Sequence, residues 1–213
     1  MIPILYEERS FLVCLKPPGL LSQAGPGEDL LQALGRQMGG AFFPVHRLDR
    51  GVGGVMAVAR TKAAAGALSA AVARRDFEKE YLCVVQGAPR EAAGVYRDLL
   101  LHDRQRNKSF VVDRPRGGVK EAALEYRCLA SADGLTLVRV RLLTGRTHQI
   151  RVQFASRGTP LVGDGKYGGG SGDIALWSGR LAFPHPETGR PLTFSHPPEG
   201  GLWDRFPPEL LRL

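Results

Sequence analysis

The apolar positions of this chain come in short runs stopped by turn residues, a pattern that favours strands over long helices. Phe11 to Leu15 is such a run, halted by Lys16-Pro17-Pro18-Gly19. Val55 to Ala59 and Lys79 to Val85 read as further strands, the second closed by Gly87. Ala122 to Leu129 and Leu135 to Leu143 flank Ala132-Asp133-Gly134 and predict an antiparallel hairpin. In its second arm Val138, Val140 and Leu142 fall on one face, Arg139 and Arg141 on the other. Ile174 to Trp177, Leu181 to Phe183 and Leu192 to Phe194 predict late strands, the last two joined by a turn at Pro186-Glu187-Thr188-Gly189.

Three helices are expected. One runs over Asp29 to Gln37 and ends at Gly39-Gly40; a second runs from Lys62 to Arg75 behind Thr61 as its cap. Arg74 and Arg75 suit the negative end of that helix. The third covers His148 to Ser156, with Ile150 and Phe154 on one face and Gly158 as a C-terminal stop. Gly94 to Gly117 is polar and Arg-rich and reads as a hairpin or excursion outside the core. The expected fold is α+β: one domain over residues 1–213, with a mixed, mainly antiparallel central sheet flanked by helices and loops.

Composition narrows the classes of function. The chain has 29 Lys and Arg against 21 Asp and Glu, a formal charge of +8, which favours an anionic partner. Arg suits such a partner best, because its planar fork pairs with phosphates and stacks on bases. Cys14, Cys83 and Cys128 are odd in number and lack C-x-x-C spacing, so they read as buried small hydrophobes and indicate neither a disulfide framework nor a zinc site. The N-terminus lacks signal-peptide character and no apolar run reaches about 18 residues, so a cytoplasmic, membrane-free protein is expected. His102, His185 and His196 sit in polar or Pro-rich segments and are expected at the surface.

Several motifs are set aside. Gly163-Asp164-Gly165-Lys166-Tyr167-Gly168 matches G-x-G-x-x-G by letter, but more glycines follow where a dinucleotide site needs a helix. P-loop, H-E-x-x-H, G-x-S-x-G and zinc-deaminase patterns are missing.

Three segments concentrate chemistry: Val45-His46-Arg47-Leu48-Asp49-Arg50-Gly51, Lys79-Glu80-Tyr81, and Leu143-Thr144-Gly145-Arg146-Thr147-His148-Gln149-Ile150-Arg151, the last followed by Gly163-Asp164-Gly165-Lys166-Tyr167-Gly168. Alone, Asp49 between two arginines reads as a surface ion pair, and Thr144 or Thr147 as a helix cap. Together and in this order the segments resemble the RluA-type pseudouridine synthases, and Lys16-Pro17-Pro18-Gly19-Leu20-Leu21 matches as well. The resemblance runs from about Tyr6 to about Pro198.

That resemblance implies an RNA pseudouridine synthase acting on transfer or ribosomal RNA. Asp49 would attack the sugar carbon or assist departure of the base, and Arg146 would pair with it. Tyr81 would stack on the flipped uracil and help remove the proton from carbon 5. Arg47 would fill the gap left in the RNA. His46 and Arg50 beside it, with Arg104, Arg106 and Lys108, are the further candidates for RNA contact; Arg114 and Arg116 extend that basic set. The isomerisation involves no redox or hydrolytic step, so neither cofactor nor metal is expected.

Where the family has a Thr-Ser-Gly run, this chain has Val52-Gly53-Gly54. That departure leaves open a catalytically weak or inactive RNA-binding or ribosome-assembly protein on the same fold. A glycosidase that releases free base is the other alternative. The chain is expected to act as a monomer, without the N-terminal accessory RNA-binding domain that many relatives carry.

Overall fold

Asp29 and Thr61 begin the first two helices as the sequence predicts. The Asp29 carboxylate accepts from the Gln32 N–H and the Thr61 hydroxyl from the Ala64 N–H. In the computed structural model, which describes all residues from Met1 to Leu213, the elements in order are β1 Ile4–Glu7, β2 Phe11–Lys16, α1 Leu30–Met38, β3 Phe43–Pro44, β4 Gly53–Ala59, α2 Lys62–Arg74 and β5 Glu78–Gln86. There follow β6 Ala93–Asp103, β7 Lys108–Val112, β8 Val119–Ala132, β9 Leu135–Leu142, α3 Gln149–Ala155, β10 Leu176–Pro184 and β11 Pro191–Ser195, then two short 3₁₀ turns. No helix is long and apolar enough to cross a membrane.

The chain folds as two compact units. The first comprises Met1–Lys79, Trp177–Pro198 and Arg212–Leu213. Here β2 pairs antiparallel with β1 and β4, and β10 antiparallel with β11. β4 and β10 run parallel, with Trp177 opposite Gly53 and Ser178 opposite Gly54. All seven β4 residues are buried, as their unbroken apolar run demands. The core gathers Phe11, Val13, Val55, Ala57, Leu68, Phe77, Leu181 and Phe183, with Phe77 and Phe183 stacked at 4.7 Å.

The second unit comprises Glu80–Leu176 and Glu199–Leu211. It is an antiparallel sheet in which β9 pairs with β5 and β8, and β6 with β8 and β7. Val138 and Val140 point into the core while Arg139 and Arg141 are exposed, as the alternation predicts. Leu100, Ala122 and Val152 form one buried cluster, on which Val111 and Tyr167 pack.

The mainly antiparallel α+β expectation holds, with corrections in detail. The Arg-rich middle is a hairpin, but β6 is integral to the sheet and Tyr96 and Leu100 are buried. Ile174 to Trp177 and Leu181 to Phe183 are not separate strands; β10 runs on from Leu176 to Pro184. Helix α3 is buried on every side from Gln149 to Phe154. Cys14 and Cys83 are buried but Cys128 only partly, because β8 breaks register between Cys128 and Ala130. His185 is not a surface residue: its ring packs edge-on against Phe11 and meets the Glu8 carboxylate at 2.7 Å.

Candidate functional site

In the first unit Asp49 sits, half-buried, in the loop from β3 to β4. Its neighbours are fixed through the backbone by the segment after β2. The Ser22 hydroxyl, itself buried, donates to the Leu48 carbonyl at 2.7 Å and accepts from the Leu48 N–H at 2.9 Å. On the other side the Gly19 N–H donates to the Arg50 carbonyl, and Arg50 Nε returns a bond to the Gly19 carbonyl. The Val52 N–H closes a turn onto the Asp49 carbonyl at 3.0 Å. Leu48 points into the core, whereas Arg47 and Arg50 are exposed.

Lys16 lies beneath this loop and was not singled out by sequence reasoning. It is fully buried, and its ammonium donates to the carbonyls of Pro17 at 2.8 Å, Leu20 at 2.7 Å and Arg50 at 3.3 Å. Burial pushes its pKa down to about 8, against the pull of the negative Asp49. The sequence signal is a lysine closing an apolar strand just before Pro-Pro-Gly, where an ordinary lysine would be solvated.

His46 was expected to touch RNA, yet its ring is 8% exposed. Nε2 accepts from the Ala57 N–H at 3.1 Å, and the ring lies 5.2 Å from that of Phe77. Burial, and secondly the nearby Lys79 charge, hold its pKa down to about 3, so it stays neutral. The ring ties the start of the Asp49 loop to β4.

The Val52-Gly53-Gly54 departure also has a structural cause. Val52 is buried, so an apolar side chain fits. A Cβ on Gly53 would stand 2.6 Å from Cζ3 of Trp177 and 2.9 Å from Cδ of Pro18. Gly54 has φ +123°, and its Cβ would meet the Ser178 backbone. Trp177 is fixed by its indole N–H, which donates to the His196 carbonyl at 2.8 Å.

In the second unit Tyr81 is buried on β5 opposite Val140. The adjoining Glu80, also buried, accepts from Arg139 Nε at 2.6 Å. Arg146 is half-buried in the turn between β9 and α3. Neither expected threonine cap forms. Instead, His148 occupies the N-cap in left-handed geometry, φ 54°, without a side-chain cap bond. Gln149 organises the turn: its Oε1 accepts from the Thr144 hydroxyl at 2.8 Å and the Arg146 N–H at 3.0 Å. Its Nε2 donates to the Ala123 carbonyl at 3.0 Å. Arg146 Nε donates to the Glu121 carbonyl at 2.8 Å.

The glycine-rich loop set aside above is part of this scaffold. Arg151 grips Asp164 through Nε at 2.6 Å and Nη2 at 2.8 Å, with the carboxylate fully buried. Tyr167, in the same loop, reaches His148 and Ser109. Arg104 and Arg106 are exposed on the β6–β7 turn, where Asp103 accepts from the Arg106 N–H at 3.0 Å. Lys108 is half-buried, 5.1 Å from the Tyr167 ring centre. Arg114 and Arg116 are exposed between β7 and β8. The structure thus gathers His46, Arg47, Asp49 and Arg50 in one unit, and Tyr81, Arg146 and the basic hairpin in the other.

Comparison with known proteins places these residues in context. Residues 10–156 match the family model described as RNA pseudouridylate synthase. "Ribosomal large subunit pseudouridine synthase D" of Xanthomonas campestris pv. campestris is 38% identical over 91% of this chain, which spans 65% of that protein. "Dual-specificity RNA pseudouridine synthase RluA" of Yersinia pestis is 32% identical over 90% of this chain and 96% of its own length. Among solved structures, "Human RNA Pseudouridylate Synthase Domain Containing 1" is similar with a TM-score of 0.79 at 25% identity, covering 99% of this chain and 86% of that one. With the family model covering most of the chain and a relative 32% identical along 96% of its own length, this chain belongs to the RluA type of the RNA pseudouridylate synthase family.

Proposed function

We propose that the protein is an RNA pseudouridine synthase that isomerises uridines in transfer or ribosomal RNA. The observation that carries this reading is the seating of Asp49. A half-buried carboxylate, in a loop held on both sides through its backbone, lies within the field of a buried lysine. Such a setting holds the main chain beneath the carboxylate in place beside a positive charge, which suits attack on a glycosidic carbon.

In the proposed reaction the target nucleotide leaves its stack, and exposed Arg47 fills the vacancy. Asp49 attacks C1′, or stabilises its developing positive charge, as the C1′–N1 bond breaks. The uracil, carrying the bond pair, turns against the aromatic face of Tyr81. C5 then forms the new bond to C1′, and any bond from the Asp49 oxygen to C1′ breaks as it does so, returning the carboxylate with its electron pair. The C5 proton leaves with the help of the Tyr81 oxygen, and N1 ends protonated. Arg146 is assigned to pair with Asp49 by family resemblance. The exposed Arg104 and Arg106 and the half-buried Lys108 would hold phosphates, as would Arg50. His46 is read instead as a support of the Asp49 loop. We read residues 1–213 as acting together as one catalytic domain, monomeric and cytoplasmic.

The test is chemical detection of pseudouridine in ribosomal and transfer RNA incubated with the protein, with free uracil followed in parallel. Wild-type protein forms pseudouridine. Asp49→Asn lowers the rate by about a thousandfold or more, while RNA binding stays within about threefold. Full activity in Asp49→Asn removes Asp49 from the chemistry. RNA binding without product supports the binding-protein alternative, and released uracil the glycosidase.

A further inference from the structure

Tyr167 has no assigned role in the chemistry, yet its hydroxyl joins two segments that have one. It accepts from the Ser109 N–H at 2.7 Å and hydrogen-bonds Nδ1 of His148 at 3.0 Å, giving its own proton to that bond when Nδ1 is the acceptor. Burial raises the phenol pKa, which keeps that proton in place. A second strut runs alongside, because the Ser109 hydroxyl donates to the Thr147 carbonyl at 2.7 Å. Ser109 is almost fully buried and directly follows Lys108 at the start of β7. Thr147 and His148 directly follow Arg146.

The surroundings make this a stiff connection. The Tyr167 loop is anchored to α3 by the buried Arg151–Asp164 pair, and Tyr167 packs on the Leu100, Ala122 and Val152 cluster. The hairpin tip is tied to the same loop, since Lys166 Nζ donates to the Asn107 carbonyl at 2.8 Å. The joint itself is strained. His148 holds φ 54°, a conformation unfavourable for a non-glycine residue that persists only where neighbours enforce it.

We propose that Tyr167 is a positioning residue: by bridging Ser109 and His148 it couples the basic β6–β7 hairpin to the turn that carries Arg146, so that RNA phosphates held at the hairpin set the placement of that guanidinium. This rests on the role proposed for Arg146.

The test uses the full chain and an RNA substrate that it modifies, with single-turnover rates at saturating RNA, filter-binding affinities and thermal melting measured together. Tyr167→Phe keeps the ring and removes the bridge. Its rate falls about tenfold while RNA affinity stays within about twofold. His148→Ala behaves alike. His148→Asn restores most of the lost rate, because Asn tolerates the left-handed conformation and offers an acceptor where Nδ1 stood. Arg104→Ala/Arg106→Ala weakens affinity instead and flattens its salt dependence.

A wild-type rate in Tyr167→Phe overturns the coupling, as does equal loss in His148→Asn and His148→Ala. If Tyr167→Phe does not fold, the two His148 variants decide the question. Arg146→Ala separates the layers: full activity there overturns the role of Arg146, whereas an inactive Arg146→Ala beside a fully active Tyr167→Phe overturns the coupling alone.

Discussion

The loop carrying Asp49 is held through its backbone, and the turn carrying Arg146 mostly through side chains. Around Asp49, Ser22 and Gly19 grip the main chain of Leu48 and Arg50, and Lys16 caps three carbonyls from below. Around Arg146, the amide of Gln149 spans the turn, and Ser109, Tyr167 and the Arg151–Asp164 pair brace it from outside. A backbone grip fixes the main chain from which the carboxylate springs, whatever side chains flank it. A side-chain web depends on each member, and each can transmit a displacement. The Asp49 loop is thus held mainly at its main chain, whereas the Arg146 turn sits in a web in which a shift of one side chain is passed to the next.

That contrast can be broken by substitution. Asp164→Asn should have the largest effect, because it removes the charge that Arg151 grips at two points in a buried setting. A loss of about 3–5 kcal/mol is expected in urea unfolding. If the loss is under 1 kcal/mol, the web is weaker than its geometry suggests.

Gly53→Ser restores the residue that the family has at this position, yet it should destabilise the first unit by about 2 kcal/mol through collision with Trp177 and Pro18. The same change in a Trp177→Leu background should cost clearly less, and simple additivity would exclude the collision. Ser22→Ala unpairs both backbone groups of Leu48, for about 1–2 kcal/mol. It should also lower the rate, because the Asp49 loop loosens; a large stability loss at full rate would show that the grip serves only folding.

The smallest effect at neutral pH comes from His46. Its pKa is depressed from the ordinary 6.5 to about 3, so below 6.5 the unfolded chain takes up a proton that the folded chain refuses. Stability from this group is full above pH 6.5 and is lost as pH falls toward 3. His46→Gln should shallow the acid limb of a stability–pH curve measured by urea unfolding, and parallel curves would remove His46 from that limb.

Periodicity made the strands legible where one face is buried, as in β9, and caps made α1 and α2 legible to within a residue or two. It failed where order comes from distant partners. β6 shows no clean apolar face, since only Tyr96 and Leu100 of its 11 residues are buried, and its membership of the sheet depends on pairing with the distant β8. The motif residues Asp49, Tyr81 and Arg146 could be found because they are contiguous with their own signature. Ser22 and Ser109 could not, since each acts on a residue at least 26 positions away through backbone atoms that carry no sequence signal.

The contact between Gly53 and Trp177 bears on how this sequence can be altered. Two positions 124 residues apart share one small volume, so neither can be chosen alone. A consensus substitution at position 53, harmless in a relative with a smaller residue opposite, is blocked here until position 177 is reduced. Mutational routes toward the commoner loop sequence therefore have an order, with the tryptophan changing first.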